Sequence, residues 1–192
     1  MTADLEHELR LLLDKQALGE LLLRYARGID RWDRELVLAC FHPDAFVHYN
    51  TYRGNAIEFY EALWERTEGG GGGESGIPRG QHVVTNALFE LRGDIAYGES
   101  YLEARRSGVG NRRAGAESEP TGPGFPIERI GRFIDRYERR NGEWRFASRR
   151  VAMEWMPEEI EDSVAFPGGY RLENFAPTRT DRSDPSYERD WE

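Results

Sequence analysis

Leu18, Leu21, Leu22, Tyr25 and Ile29 recur at three- and four-residue intervals, which is the spacing of one helical face, and the stripe ends beside the helix-weakening Gly28. A second apolar segment, "ELVLACF", predicts another helix, stopped by the proline of "HPDA". Asp30 and Asp33 flank Trp32 at the corner between the two. "AFVHYNTY" is rich in β-formers and predicts a first strand, and "AIEFYEALWERT" returns to helical spacing through Ile57, Tyr60 and Trp64.

Beyond the glycine-rich "EGGGGGESGIPRG" the pattern alternates. "QHVVTNALFELR" and "IAYGESYLEARR" are joined by Gly93-Asp94, and "IGRFIDRYERR" and "EWRFASRRVAMEWM" by Asn141-Gly142, both signals of tight hairpins. An uninterrupted register on the first turn sets Val84 opposite Glu103, Asn86 opposite Tyr101 and Leu88 opposite Glu99, so that Glu99, Tyr101 and Glu103 share the face of His82. On the second turn it sets Glu138 against Arg145 and leaves Asp135 diagonal to Arg150. Helices first and hairpins afterwards predict an α+β fold: a curved mixed or antiparallel sheet closed by N-terminal helices into a cone with a central cavity. We expect one cone domain over residues 1–157, with loops near 68–80 and 107–126, and a polar extension over 158–192 that lies along the surface or on a neighbouring subunit.

Charge narrows the partners. With 26 basic and 35 acidic residues the formal charge is -9, which repels nucleic acid and anionic membrane surfaces, and the one basic cluster, "RRSGVGNRR", reads as a solvated loop. The first residues carry acids and no apolar run, and no stretch is long enough to span a bilayer, so the sequence predicts a soluble, cytoplasmic protein. The single cysteine, Cys40, sits in an apolar segment and reads as a small buried hydrophobe. No metal-ligand spacing, phosphate loop or nucleophile elbow occurs, so no metal and no cofactor are expected.

Chemistry concentrates on a few positions. His7, His42 and His48 have ordinary surface, corner and strand readings, whereas His82 opens a strand whose face continues through Val84, Asn86 and Leu88. Asp30 has two readings: an N-cap of the second helix, in a capping box with Asp33, or a carboxylate that orients His82, fixing its tautomer and stabilising the imidazolium formed when it removes a proton.

"YARGIDRWDRELVLACFHPDA", a strand carrying "VHY", then "GQHVVTN" and "GRFIDRYERRNGEWRFASRRVAMEW" together resemble the SnoaL-like branch of the nuclear transport factor 2-like superfamily, over about residues 8–157. The resemblance implies the cone fold and, by analogy with scytalone dehydratase, hexachlorocyclohexane dehydrochlorinase and bile acid 7α-dehydratases, an Asp30–His82 dyad that drives an elimination. Tyr25 and Tyr49 match tyrosines that reach the substrate there, and each also has a bland reading as a core or strand aromatic. Asn86, Glu99, Tyr101, Glu103 and Trp64 are the further substrate-binding candidates. The arginine that assists chloride departure in the dehydrochlorinase has no unique match among Arg132, Arg136, Arg139 and Arg150.

The implied activity is a cofactor-independent dehydratase or isomerase acting beside a carbonyl on a mainly apolar cyclic molecule, in a homo-oligomer of two or three chains. Two rivals stand beside it. One is a non-catalytic module like the β subunits of ring-hydroxylating dioxygenases; the other is an epoxide hydrolase, which needs Asp135 and Arg150 turned inward beside another carboxylate.

Overall fold

The computed structural model of the chain describes residues 3–66, 80–106, 112–113, 127–156, 160–162 and 169–189. The glycine-rich loop and most of the 107–126 insertion lie outside them. Helix α1 (Ala3–Arg31) leads into α2 (Arg34–Ala39), then come strands β1 (Phe41–Tyr49) and β2 (Tyr52–Asn55), helix α3 (Ala56–Arg66), and strands β3 (Gly80–Arg92), β4 (Ile95–Arg106), β5 (Arg112–Arg113), β6 (Ile127–Arg140), β7 (Glu143–Trp155) and β8 (Ile160–Asp162). The main sheet runs β2-β1-β7-β6-β4-β3, with β1 parallel to β7 and every other pair antiparallel; β5 and β8 form a separate ribbon. The fold is the expected α+β arrangement, with a mixed sheet that curls without closing and helices covering its concave side.

Gly28 does not end α1. The helix continues to Arg31 and stops at Trp32, which adopts a left-handed conformation (φ 55°) while the Asp33 N–H returns to the Gly28 carbonyl at 2.9 Å, a Schellman-type termination. Gly28 is needed for another reason: a Cβ there would lie 2.7 Å from Val37 Cγ2, so its absence lets α2 fold tightly back on α1.

β1 begins at Phe41, earlier than the sequence suggested, and absorbs Pro43 because its register against β7 shifts between Phe41 and Phe46. The concave face is aromatic: Tyr25, Phe41, Phe59, Tyr60, Phe133, Tyr137 and Phe146 are all buried there. Small residues on β4 make room for them. A Cβ on Gly98 would lie 2.8 Å from the Tyr137 ring and 3.0 Å from that of Phe89.

Besides a β6–β7 shift between Ile130 and Gly131 near the far end of the hairpin, two one-residue irregularities decide which side chains point inward around His82 and Arg149. The β3–β4 register shifts between Thr85 and Leu88, where Asn86 takes φ 50°. The β6–β7 register shifts between Arg136 and Tyr137. Because successive side chains alternate across a sheet, each bulge exchanges the faces of every residue beyond it.

Residues 176–189 lie on the convex face of the same sheet, whereas Tyr170 and Phe175 join the main core beside Tyr49. Ala176 bridges Ala152, Asp184 binds Arg132, and Arg189 binds Glu90. No described helix is long and apolar enough to cross a membrane.

Candidate functional site

Asp30 stands in the last turn of α1 and reaches across to the first residues of β3. Its Oδ1 lies 2.6 Å from His82 Nδ1, and its Oδ2 accepts the His82 backbone N–H at 3.0 Å. The imidazole side chain is 7% exposed and the carboxylate 12%. Two contacts from one carboxylate fix both the position and the rotation of the ring. Capping of α2 falls to Asp33, whose Oδ1 accepts the Leu36 N–H at 3.0 Å, so the two corner aspartates divide the two tasks that the sequence left open for Asp30.

His82 lines a cavity with Tyr25, Ile29, Tyr49, Leu102 and Phe133. Its volume is about 20 Å³, room for a single water. Tyr49 and Phe59 separate it from a second hollow of about 150 Å³ that also touches Asn50, Tyr52 and Arg66. The Tyr25 and Tyr60 hydroxyls are 2.8 Å apart, and burial pushes both phenols up, so they remain neutral hydrogen-bonding groups. Tyr49 Oη accepts a hydrogen bond from Arg129 Nη1 at 3.2 Å.

The structure corrects the expected β3–β4 face. Val84 pairs with Leu102, His82 with Ala104, and Thr85 with Tyr101, so the inward neighbours of His82 on β4 are Leu102 and Ala104. Glu99, Tyr101 and Glu103 point to the convex side: Glu99 accepts from Arg132, Glu103 pairs with Arg105, and Tyr101 is exposed. Asn86 is the bulge itself and is exposed, and Leu88 beyond it faces solvent. Trp64 is buried in α3 against Trp32, with ring centroids 5.3 Å apart, and does not line the dyad cavity. Of the expected residues, His82, Tyr25 and Tyr49 line one cavity, with Asp30 bonded to His82 behind it.

Sequence reasoning missed Arg149. It is fully buried, and its Nε and Nη2 donate to Asp135 Oδ1 and Oδ2 at 2.7 and 2.8 Å. Its guanidinium carbon lies 4.1, 3.9 and 4.1 Å from the ring centroids of Tyr25, Phe133 and Phe146. Burial alone would disfavour its charge, but the Asp135 carboxylate more than offsets this and pushes its pKa up. The expected diagonal pair of Asp135 with Arg150 is therefore replaced: the bulge below Arg136 turns Arg149 inward and sends Arg150 out to Glu188. Glu138 lies opposite Arg145 as the register predicts, but their charges pair elsewhere, Glu138 with Arg136 and Arg140 and Arg145 with Glu143. Arg132, Arg136 and Arg139 pair with acids elsewhere.

Cys40 is buried, and burial pushes its thiol up to about 11, which keeps it protonated and unreactive at neutral pH. Among the described residues, no group of three or more His, Cys, Asp or Glu side chains is placed to hold a metal ion.

Several solved structures share this architecture. A candidate scytalone dehydratase from Novosphingobium aromaticivorans is 18% identical, covering 77% of this chain and 88% of its own, with a TM-score of 0.58. The hexachlorocyclohexane dehydrochlorinase LinA-type3 from Novosphingobium barchaimii is 19% identical, covering 79% and 93%, with a TM-score of 0.58. A single-residue variant of the Mycobacterium tuberculosis protein Rv3472, described as of unknown function, is 21% identical, covering 74% and 77%, with a TM-score of 0.56. No curated protein matches the chain. The sequence itself matches the SnoaL-like domain over residues 10–150, and the chain belongs to that family.

Proposed function

We propose that the chain is a cofactor-independent lyase of the dehydratase type, in which His82, oriented by Asp30, removes a proton beside a carbonyl. The observation that carries this reading is the two-point hold of one carboxylate on His82, at Nδ1 and at the backbone N–H, against an apolar cavity. With Nδ1 committed to Asp30, Nε2 is the nitrogen that would take the proton, and the carboxylate would stabilise the resulting imidazolium. The C–H electrons pass into an enolate and then form the new double bond as the C–O bond breaks. A tyrosine hydroxyl, from Tyr25 or Tyr49, gives its proton to the departing hydroxide, so water leaves; the imidazolium then restores the tyrosine's proton. The neighbouring scytalone dehydratase and dehydrochlorinase folds are consistent with an elimination.

The dyad cavity has room for only one water, so a ring-sized substrate requires the Tyr49–Phe59 partition to swing aside and join the two hollows. A panel of cyclic β-hydroxy ketones, followed by the absorbance of the conjugated product, tests the reading. His82→Ala is expected to lower turnover about 10²–10⁴-fold with the fold intact by circular dichroism. Equal turnover by wild type and His82→Ala would overturn the proposal. No turnover across the panel, together with copurification of a catalytic subunit, would favour the binding-module reading.

A further inference from the structure

Among the described residues, three arginines are buried in the main sheet: Arg129 at 2% exposure, Arg132 at 7% and Arg149 at 0%. Arg149 has Asp135, and Arg132 has Asp184, Glu99 and Glu154. Arg129 has no carboxylate within ion-pair distance among the described residues. Its surroundings are the Tyr49 hydroxyl at 3.2 Å and the face of the Tyr170 ring, 4.5 Å from the guanidinium carbon, and its Nε has no hydrogen-bond partner among the described residues. A guanidinium does not lose its proton in a protein, and burying one unpaired is costly. A cation kept in that condition is matched to an anion that arrives from outside.

The sheet register shows where that anion would sit. His82 pairs with Ala104, and Ala104 pairs with Arg129, so the three form one row across β3, β4 and β6 on the concave face. Adjacent strands are about 4.8 Å apart, which puts the His82 and Arg129 backbones about 10 Å from each other with only a methyl group between them. Tyr49 links the two ends, because it lines the cavity of His82 and accepts from Arg129.

We propose that Arg129, framed by Tyr49 and Tyr170, is an anion-recognition site, and that the ligand of this cavity carries a carboxylate that Arg129 binds while the rest of the molecule faces His82. The position of the ligand rests on the dyad reading; the demand for an anion rests on Arg129 alone. A guanidinium presents two parallel N–H groups to a carboxylate, and in a site shielded from water such charge-assisted bonds discriminate strongly against a neutral isostere.

The test compares naphthalene-2-carboxylate with naphthalene-2-carboxamide, binding being followed by tryptophan fluorescence and by thermal shift. Wild type is expected to prefer the carboxylate by about tenfold or more. Arg129→Met is expected to lose that preference, Arg129→Lys to keep part of it, and His82→Ala to keep it whole, which separates this site from the proposed elimination. The thermal shift given by the carboxylate should vanish in Arg129→Met. Equal binding of the two probes by wild type would overturn the proposal. So would a carboxylate preference that survives in Arg129→Met.

Discussion

The concave and convex faces of the sheet both bury arginine, and they treat it in opposite ways. On the convex face Arg132 is surrounded by acids: Asp184 takes a two-pronged hold at 2.9 and 2.8 Å, Glu99 accepts at 2.8 Å and Glu154 at 2.6 Å. On the concave face Arg149 has one carboxylate and three aromatic rings, and Arg129 has, among the described residues, two phenols and no carboxylate. The convex cluster uses surplus negative charge to fasten the C-terminal segment. The concave face keeps acids scarce, so each charge there retains electrostatic force in a poorly screened setting.

Breaking the inner pair is expected to have the largest effect. Asp135→Ala leaves Arg149 buried without its partner and should lower stability by about 3–5 kcal/mol in urea denaturation, whereas the double variant Asp135→Leu/Arg149→Met should lose much less. A single-variant cost no greater than the double's would show that the inner pair is not a desolvated one. On the convex face Arg132→Met should cost about 1–3 kcal/mol, mainly through Asp184, since Glu99 and Glu154 keep access to water. Hydrogen exchange across 176–187 should rise in that variant while β4 and β6 stay protected.

The same latch gives the convex face a pH signature. Burial alone would raise the Asp184 carboxyl, but the Arg132 fork and the Ser186 and Arg179 N–H groups outweigh it and hold it well below the usual carboxylate range. Its stabilising contribution is therefore complete above the ordinary aspartate value of about 3.9 and is lost only as pH falls towards the depressed folded value. Exchange of the segment should stay slow down to about pH 4 and quicken below it. In Asp184→Asn it should already be fast at neutral pH and show little further change. The smallest effect concerns the bulge: Asn86→Val places a β-branched residue at φ 50° and should cost about 1–2 kcal/mol, while Asn86→Gly should be close to neutral. Equal stability of the two would remove the bulge's claim to set the faces of β3.

Legibility of the site followed distance from the bulges. His82 precedes the irregularity at Asn86, and its face was read correctly as far as Val84; the partners assigned to it on β4 were displaced because the register was carried through Asn86 without a break. Glu138–Arg145 lies on the turn side of the second bulge and matched, whereas Asp135 lies past it and received Arg149 in place of Arg150. Neither Asn86 nor Ala147, the extra β7 residue left unpaired between Phe146 and Ser148, announces a bulge by residue type alone. An asparagine tolerates a left-handed conformation, but it is also an ordinary solvent-facing strand residue.

The sequence by itself determined the three helices, the four strands of the two long hairpins with their turns, the α+β class and the corner that carries Asp30, because helical spacing, alternation and the Gly93-Asp94 and Asn141-Gly142 turns are encoded within a few residues of each other. Only the tertiary structure decided that Asp30 turns to His82 and leaves the cap to Asp33, that Arg149 replaces Arg150 on the inner face, and that Arg129 is buried beside Tyr49 and Tyr170 with no acid among the described residues to meet it. Those outcomes depend on strand register and on the curl of the sheet, which bring together residues 52, 14 and 80 positions apart. No local pattern specifies contacts at that range.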